Sequence, residues 1–561
     1  MRFLPALLLP LCLGLSVATP AQQNSPSPPA LERVSPNDNR VAAGTLRAGV
    51  LTVRLEVRAG DWRPDGDNDA GVEVLAFAEE GKALRVPGPL IRVTEGTEIR
   101  ASVRNTQTDA PLIMHGLYTR GAAGSVQDTL YIAAGATREV RFTAGAPGTY
   151  FYWAATTTTA TFARRGRASQ LSGALIVDPR GAPTPADRVF VIGLWSDSVF
   201  LQVDDASRQI IRFVINGKSW PHTERLEHSM GDTVRWRMIN TNPAVHPMHL
   251  HGFYFRVDSR GHERADTIFP RSASPRLAVT ERLAPGTTAA ISWVPERAGN
   301  WLFHCHDNVH IRTQLPFSGQ AATALEKHVT NHTTEMMQGL VMGIHVRPRA
   351  GTAATPEPAT RRRLRLVARP DPGGEPGQLT FRFLLQEGAS SAQSAPASVG
   401  PPIVLRRGEP VSITVVNELP EATAVHWHGI ELDSYYDGVA DFSGQPGRIA
   451  PAIAPRDSFE ARFTPPRAGT FIYHTHIDEV RQQRAGLAGA LLVLEPGTTY
   501  DPRTDLVFLI STPRAQADQA KVFLNGTTAP DSLQLRAGTR YRIRIINIHT
   551  YRPSMRFELR Q

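Results

Sequence analysis

Cysteine is nearly missing from this chain: there are two in 561 residues, Cys12 and Cys305. That excludes a disulfide scaffold and any cysteine-rich zinc fold. Lysine is scarce as well, with four (Lys82, Lys218, Lys327 and Lys521) among 61 basic residues. The arginines are scattered, with Arg361-Arg362-Arg363 as the one tight run. A net charge of +9 therefore reads as a solvated surface, not a nucleic-acid footprint. Beyond the N-terminus no apolar run approaches the ~18–20 residues that cross a bilayer, which argues against integral membrane association. Helical periodicity is sparse, Ala321–His328 and Asp478–Ala485 being the best short segments.

What is present is a 41% hydrophobic chain with 45 Gly and 44 Pro, long enough for several cores because single domains rarely exceed ~250 residues. Arg2 followed by FLPALLLPLCLGLSVA predicts a signal peptide over residues 1–21, cut near Ala21, and hence export to the periplasm or beyond. An N-terminal membrane anchor is the competing reading. Cleavage removes Cys12 and leaves Cys305 as a lone thiol in an oxidising compartment. There it must be inert, intermolecular or a metal ligand.

Short strands with Gly/Pro punctuation predict an all-β fold of tandem β-sandwiches. Leu51–Val57, Ile413–Val416 and Tyr541–Ile546 are examples. The chain also repeats itself. PGPLIRVTEGTEIRASVRN (87–105) reads against PPIVLRRGEPVSITVVN (401–417), and APGTYFYW (146–153) against RAGTFIYH (467–474). A third pair sets FVINGKSW…GDTVRWRMIN (213–240) against VFLNGTTA…AGTRYRIRIIN (522–547). The result is an A–B–A′–B′ arrangement with units at 40–180, 186–348, 362–496 and 498–561, joined by linkers near 178–187 and 349–361. The fourth unit is much shorter than its counterpart, as a truncated copy would be.

Ten of 18 histidines fall in four motifs: His246-Pro-Met-His249-Leu-His251, His304-Cys305-His306-Asp-Asn-Val-His310, His426-Trp-His428 and His474-Thr-His476. On a strand, His-x-His puts both imidazoles on one face, which suits a metal site shared between two sandwiches. Structural zinc needs four ligands, usually with cysteine, and imidazoles beside one thiolate favour copper. His304 and His306 should point to one side of their strand and Cys305 to the other. Cys305, His246 and His310 then form a His₂Cys set of the blue-copper type. Eight histidines remain, enough for three more metals at two or three imidazoles each.

These four motifs resemble those of the multicopper oxidases, the family of laccases and ceruloplasmin, and the chain after residue 40 resembles their Greek-key cupredoxin domains. By position, the resemblance implies four copper ions. His246, Cys305 and His310 would hold type 1, and His249 and His426 type 2. His251, His304, His306, His428, His474 and His476 would hold the type 3 pair. It implies one-electron oxidations at type 1 and reduction of O₂ to water at the trinuclear cluster, with O₂ and a small reductant as partners and oligomerisation left open. Asp437 resembles an acid that the family sets near type 2, against a plain turn Asp before Gly438. Asp307 is a weaker proton-relay candidate, since the family's acid more often falls where this chain has Asn308.

The chain departs from the family pattern. The type 1 unit precedes the His426-Trp-His428 unit, so the cluster should lie between the second and third units, within one chain or between chains. The first unit offers Ile113, His115, Trp153 and Ala155 against His426, His428, His474 and His476, which makes His115 a relic. The fourth unit carries Arg552, Pro553 and Met555 where its counterpart has His246–His251. Leu315, Met337 and Leu340 compete for the type 1 axial position. Asp65-Gly-Asp67-Asn-Asp69 faintly resembles a calcium loop but lacks the final Glu, so a solvated turn is expected. Phenols are the expected reductants. The alternatives are oxidation of Cu⁺, Fe²⁺ or Mn²⁺, a nitrite reductase, or non-enzymatic copper binding in storage or tolerance. Nine Met without a dense tract disfavour a cuprous oxidase, and histidines on both sides of Cys305 disfavour a nitrite reductase.

Overall fold

Alternation dictates the strands. Within Val50–Trp62, Leu51, Val53, Leu55 and Val57 are buried while Thr52 and Arg54 face solvent, the period-two pattern of a sheet with one wet face. Ile413–Val416 and Tyr541–Ile546 fall in or along the strands Val411–Asn417 and Arg542–Asn547, and a short helix forms over Glu479–Ala485. The computed structural model describes residues 30–121, 128–157, 164–197, 210–272, 274–318, 331–351, 358–371, 380–388, 390–392, 399–512, 522–530, 532–549 and 555. The expected signal peptide, the helical segment 321–328, and Arg552 and Pro553 lie outside them.

Strands between Glu32 and Asp178 build an eight-stranded and a five-stranded sheet, starting ahead of residue 40. Strands between Arg188 and Arg347 build a second pair of sheets, joined by Gly444–Gln445 and Arg448–Ile449, and the other strands between Arg362 and Leu494 a third. Asp505–Ser511, Phe523–Leu524 and Arg542–Asn547 form a three-stranded sheet. Each of the three pairs encloses its own apolar core.

Buried asparagines explain one part of the repeat. Asn105 Nδ2 donates to the carbonyls of Ala110, Ile132 and Ala133, and Asn240 Nδ2 to those of Ala244, Leu283 and Ala284. Asn417 Nδ2 serves Glu421 and Ile453. Each Oδ1 accepts the N–H two residues on, as Asn547 also does for His549. A buried amide satisfied in this way pins the loop behind its strand, and in the second unit that loop leads into His246. Tyrosines explain another part. Tyr152 and Tyr473 lie opposite Gly173 and Gly489 and donate to Pro89 O and Pro401 O. A Cβ at either glycine would overlap the ring.

The 178–187 linker is held at both ends. Arg92 bonds Asp178 and Asp187, and Arg237 reaches Asp187 as well. The second and third units share backbone: Gly444–Gln445 pairs with the Gly299–Cys305 strand at Asn300. Ser434 Oγ donates to Asn300 O (2.6 Å) and Asn300 Nδ2 donates to Phe442 O (3.0 Å).

Candidate metal centre

Strand register sorts the ligands. His246–Leu250 runs antiparallel to Gly299–Cys305, with Met248 opposite Cys305 and His249 opposite His304. Period two then turns His246, Met248 and Cys305 toward the second unit's own core and His249, His251 and His304 toward the third unit. In the third unit His426 lies opposite His474 and Trp427 opposite Tyr473. Trp427 and Tyr473 enter that unit's core, leaving the four imidazoles on the face toward the second.

Among the described residues, the groups able to hold a metal are His246/Cys305/His310, His249/His251/His426, His251/His304/His476 and His306/His428/His474, each with ligand atoms within 4.8 Å of one another. The sequence-derived ligand sets thus come together, and within a single chain. In the first group Cys305 Sγ is 3.4 Å from His310 Nδ1 and 3.7 Å from His246 Nδ1, and the two nitrogens are 3.1 Å apart. The centre of such a triangle is about 2 Å from each corner, the length of a metal–ligand bond. His246 Nε2 lies 3.0 Å from Asn242 Oδ1, which turns Nδ1 inward. Asp307 Oδ1 accepts the Val309 N–H and caps the turn Asn308–His310 that brings His310 back toward Cys305.

At the interface, ring nitrogens on one side of most imidazoles are held by protein oxygens. His249 Nδ1 meets Val279 O (2.8 Å), His304 Nδ1 meets Cys305 O (2.9 Å) and His474 Nδ1 meets Thr475 O (2.7 Å). His426 Nδ1 meets Asp437 O and His251 Nδ1 meets Asp437 Oδ2, both at 2.7 Å. His428 is reversed, with Nε2 3.4 Å from Thr280 Oγ1. The Nε2 atoms of His249, His306, His426 and His474 and the Nδ1 of His428 are buried without a hydrogen-bond partner, and His251 Nε2 faces His304 Nε2 at 2.9 Å. Buried lone pairs left unmet in this way carry a desolvation penalty that coordination relieves, so these residues fit a bound metal cluster.

Electrostatics favour neutral ligands. Burial, helped by neighbouring imidazoles, pushes His249, His251, His428, His474 and His476 well below the usual histidine value. Burial also lowers His304, His306 and His310 to about 3. The Cys305 thiol is pushed well above its ordinary value by burial and then by Asp307. A coordinating metal deprotonates such a thiol outright.

Asp437 is fully buried and touches one imidazole from each unit, His251 and His426. Asp307 is raised to about 7 by burial, and its Oδ2 is 3.8 Å from His310 Nε2. Met337 and Leu340 share the apolar cluster of Cys305, whereas Leu315 is half-buried and outside it. His115 stacks on Trp153 (4.0 Å) and belongs to no metal-capable group among the described residues. It lies opposite Trp153 as His426 lies opposite His474, a register two residues from the one expected for it. The 65–69 turn is solvated only in part, because Asp65 is half-buried and paired with Arg212.

Sequence reasoning missed Glu479 and His332. Glu479 Oε1 is 3.3 Å from His476 Nε2, and burial raises its carboxyl to about 8. The His332 ring, buried and lowered to about 4, is 5.8 Å from that of His476. Glu479, three residues after His476, was within reach of a scan for acids beside the motifs. Nothing local marks His332.

Two multicopper oxidase family models match the chain, one over residues 81–182 and 388–498 and the other over 195–318, together more than half of it. The chain is 30% identical over 276 residues to the "Probable nitrite reductase-hydroxylamine oxidoreductase fusion protein" of Kuenenia stuttgartiensis (46% of this chain, 30% of that one). It is 36% identical over 125 residues to a copper resistance protein A homolog of Pseudomonas syringae pv. tomato (22% and 20%). It therefore spans less than a third of the length of these curated relatives. Among solved structures, the blue copper oxidase of Nitrosomonas europaea aligns at 23% identity and TM-score 0.40, over 53% of this chain and 85% of that one.

Proposed function

The chain belongs to the multicopper oxidase family, and we propose accordingly that it is an exported oxidase coupling one-electron oxidation of phenols or similar small reductants to four-electron reduction of O₂ to water. In this reading His246, Cys305 and His310 hold one copper, and His249, His251, His304, His306, His426, His428, His474 and His476 hold three. Bound copper supplies the one-electron redox chemistry that no side chain here provides. The observation that carries the reading is positional. Cys305 belongs to one cluster, while its chain neighbours His304 and His306 belong to the two triads of the other. One residue of backbone on either side therefore links the two centres covalently.

The protein's own groups have further parts in this scheme. Asp437 fixes the rings of His251 and His426 and is a carboxylate placed for proton delivery at the cluster. Asp307, beside His310, is a second acid. The reverse assignment, a nitrite reductase with one copper on three histidines, leaves most of the eight interface imidazoles without a role. Export rests on the sequence of residues 1–21; no helix among the described residues is long and apolar enough to cross a membrane.

A metal-ion oxidase is the second reading, for which the Asp307 carboxyl, 3.8 Å from His310 Nε2, is the acidic group beside that ligand. O₂ uptake by copper-loaded protein separates the two: phenol-driven turnover supports the first, and turnover with Fe²⁺, Mn²⁺ or Cu⁺ alone supports the second. Metal binding with no O₂ consumption from any reductant would favour a storage or tolerance role. Protein that stays colourless at full copper loading would overturn the assignment of Cys305.

A further inference from the structure

We propose that Asp65, in the first unit, is a positioning residue for the mononuclear copper site of the second. Its two carboxylate oxygens diverge. Asp65 Oδ2 accepts from Arg212 Nε at 2.5 Å, and Oδ1 accepts from Gln338 Nε2 at 3.0 Å. Each partner leads to a different wall of the His246/Cys305/His310 pocket.

The first arm runs through the Ile211–Ile215 strand. Arg212 has 2% of its side chain exposed, so its charge depends on the Asp65 carboxylate for compensation. The next residue, Phe213, lays its ring 4.2 Å from that of His310 and 5.8 Å from that of His246. Anchoring Arg212 sets the backbone from which Phe213 presses on both imidazoles.

The second arm runs through the loop that carries Met337 and Leu340. Gln338 N donates to Ile311 O (2.9 Å), and Gln338 Oε1 accepts from Gln314 N (2.7 Å). Leu340 N donates to His310 O (3.2 Å), and Cys305 N donates to Leu340 O (2.9 Å). The Asp65–Gln338 bond therefore fixes a loop tied by its backbone to two of the three ligands. The potential of such a copper responds to the axial contact and to hydrogen bonding around the sulfur, so displacing this loop changes it.

The loop bearing Asp65 is itself docked on the second unit. Trp62 Nε1 donates to Gly217 O (3.1 Å) and Ser219 N donates to Pro64 O (3.0 Å). Ser219 Oγ in turn accepts from Gly339 N (2.8 Å). Asp67, two residues on, pairs with Arg33 and Lys218 at the exposed rim and touches neither arm. It is the natural control.

This inference rests on the proposed copper assignment, and the test separates the two. Copper-loaded full-length wild type, Asp65→Asn, Asp65→Glu, Asp67→Asn, Gln338→Leu and the Asp65→Asn/Gln338→Leu double variant are compared by visible absorption, EPR and redox titration of the thiolate–copper band. Asp65→Asn is expected to shift the reduction potential and the type 1 hyperfine splitting while leaving the type 2 signal as in wild type. Gln338→Leu should shift them as well, the double variant by less than the sum of the two. Asp65→Glu should recover part of the effect, and Asp67→Asn should match wild type. A folded Asp65→Asn protein with wild-type potential and hyperfine splitting overturns the inference. Should Asp65→Asn fail to fold, an unchanged Gln338→Leu spectrum overturns it. A wild type without the visible band overturns the copper assignment and this inference together.

Discussion

His251 of the second unit donates its Nδ1–H to Asp437 Oδ2 of the third across 2.7 Å, with neither side chain exposed. The same aspartate's backbone carbonyl accepts from His426. One residue thus sets the ring orientation of an imidazole from each half of the interface.

Replacing Asp437 with Ala should therefore weaken copper retention at the interface by about 10- to 100-fold, as loss of such orienting partners does at other metal sites. Metal content after dialysis against a graded chelator measures it. The visible absorption of the Cys305 site should persist, and its loss in parallel would show a general collapse instead.

Cys305→Ser should abolish the visible absorption and reduce turnover to background while the interface copper stays bound. EPR and metal analysis give the stoichiometry. Turnover that survived would mean that electrons bypass the Cys305 backbone.

The pH dependence of the metal-free protein has a definite sign. Ten buried imidazoles (His246, His249, His251, His304, His306, His310, His332, His428, His474 and His476) are lowered on folding. Their contribution is present above the unfolded value of ~6.5 and is lost as pH falls through it, because the unfolded chain then binds the protons. Glu479 at about 8 and Asp307 at about 7 act oppositely, contributing below the unfolded carboxyl range and losing that contribution as pH rises. The lowered imidazoles outnumber the raised carboxyls, which predicts a Tm that falls between about pH 7 and about pH 5. Glu479→Gln should raise the Tm of the metal-free protein on the alkaline side and leave it nearly unchanged near about pH 4. Calorimetry across that range checks both.

Asn240→Ala should destabilise the protein by about 1–3 kcal/mol, since three carbonyls lose a buried amide donor. Denaturant unfolding measures the loss. Because the freed loop leads into His246, copper retention at Cys305 should fall as well.

The ligand sets were legible because each motif carries its geometry locally. His-x-His on a strand puts both imidazoles on one face, and Cys305 between two histidines must point the other way. The repeated asparagines were visible as a pattern, though their function appears only when Asn240 reaches carbonyls 43 and 44 residues away. Asp65 read as a solvated turn because its partner Gln338 is 273 residues distant, and no local period encodes such a contact. His332 reaches His476 on the same terms. The choice among Leu315, Met337 and Leu340 depended on how a loop folds back, which counting from His310 does not determine.

The Gly444–Gln445 strand of the third unit joins the second unit's sheet at Asn300. That backbone pairing and the Ser434–Asn300 contact clasp the two halves through protein atoms. The seam that gathers imidazoles from both units is therefore stitched by the fold itself.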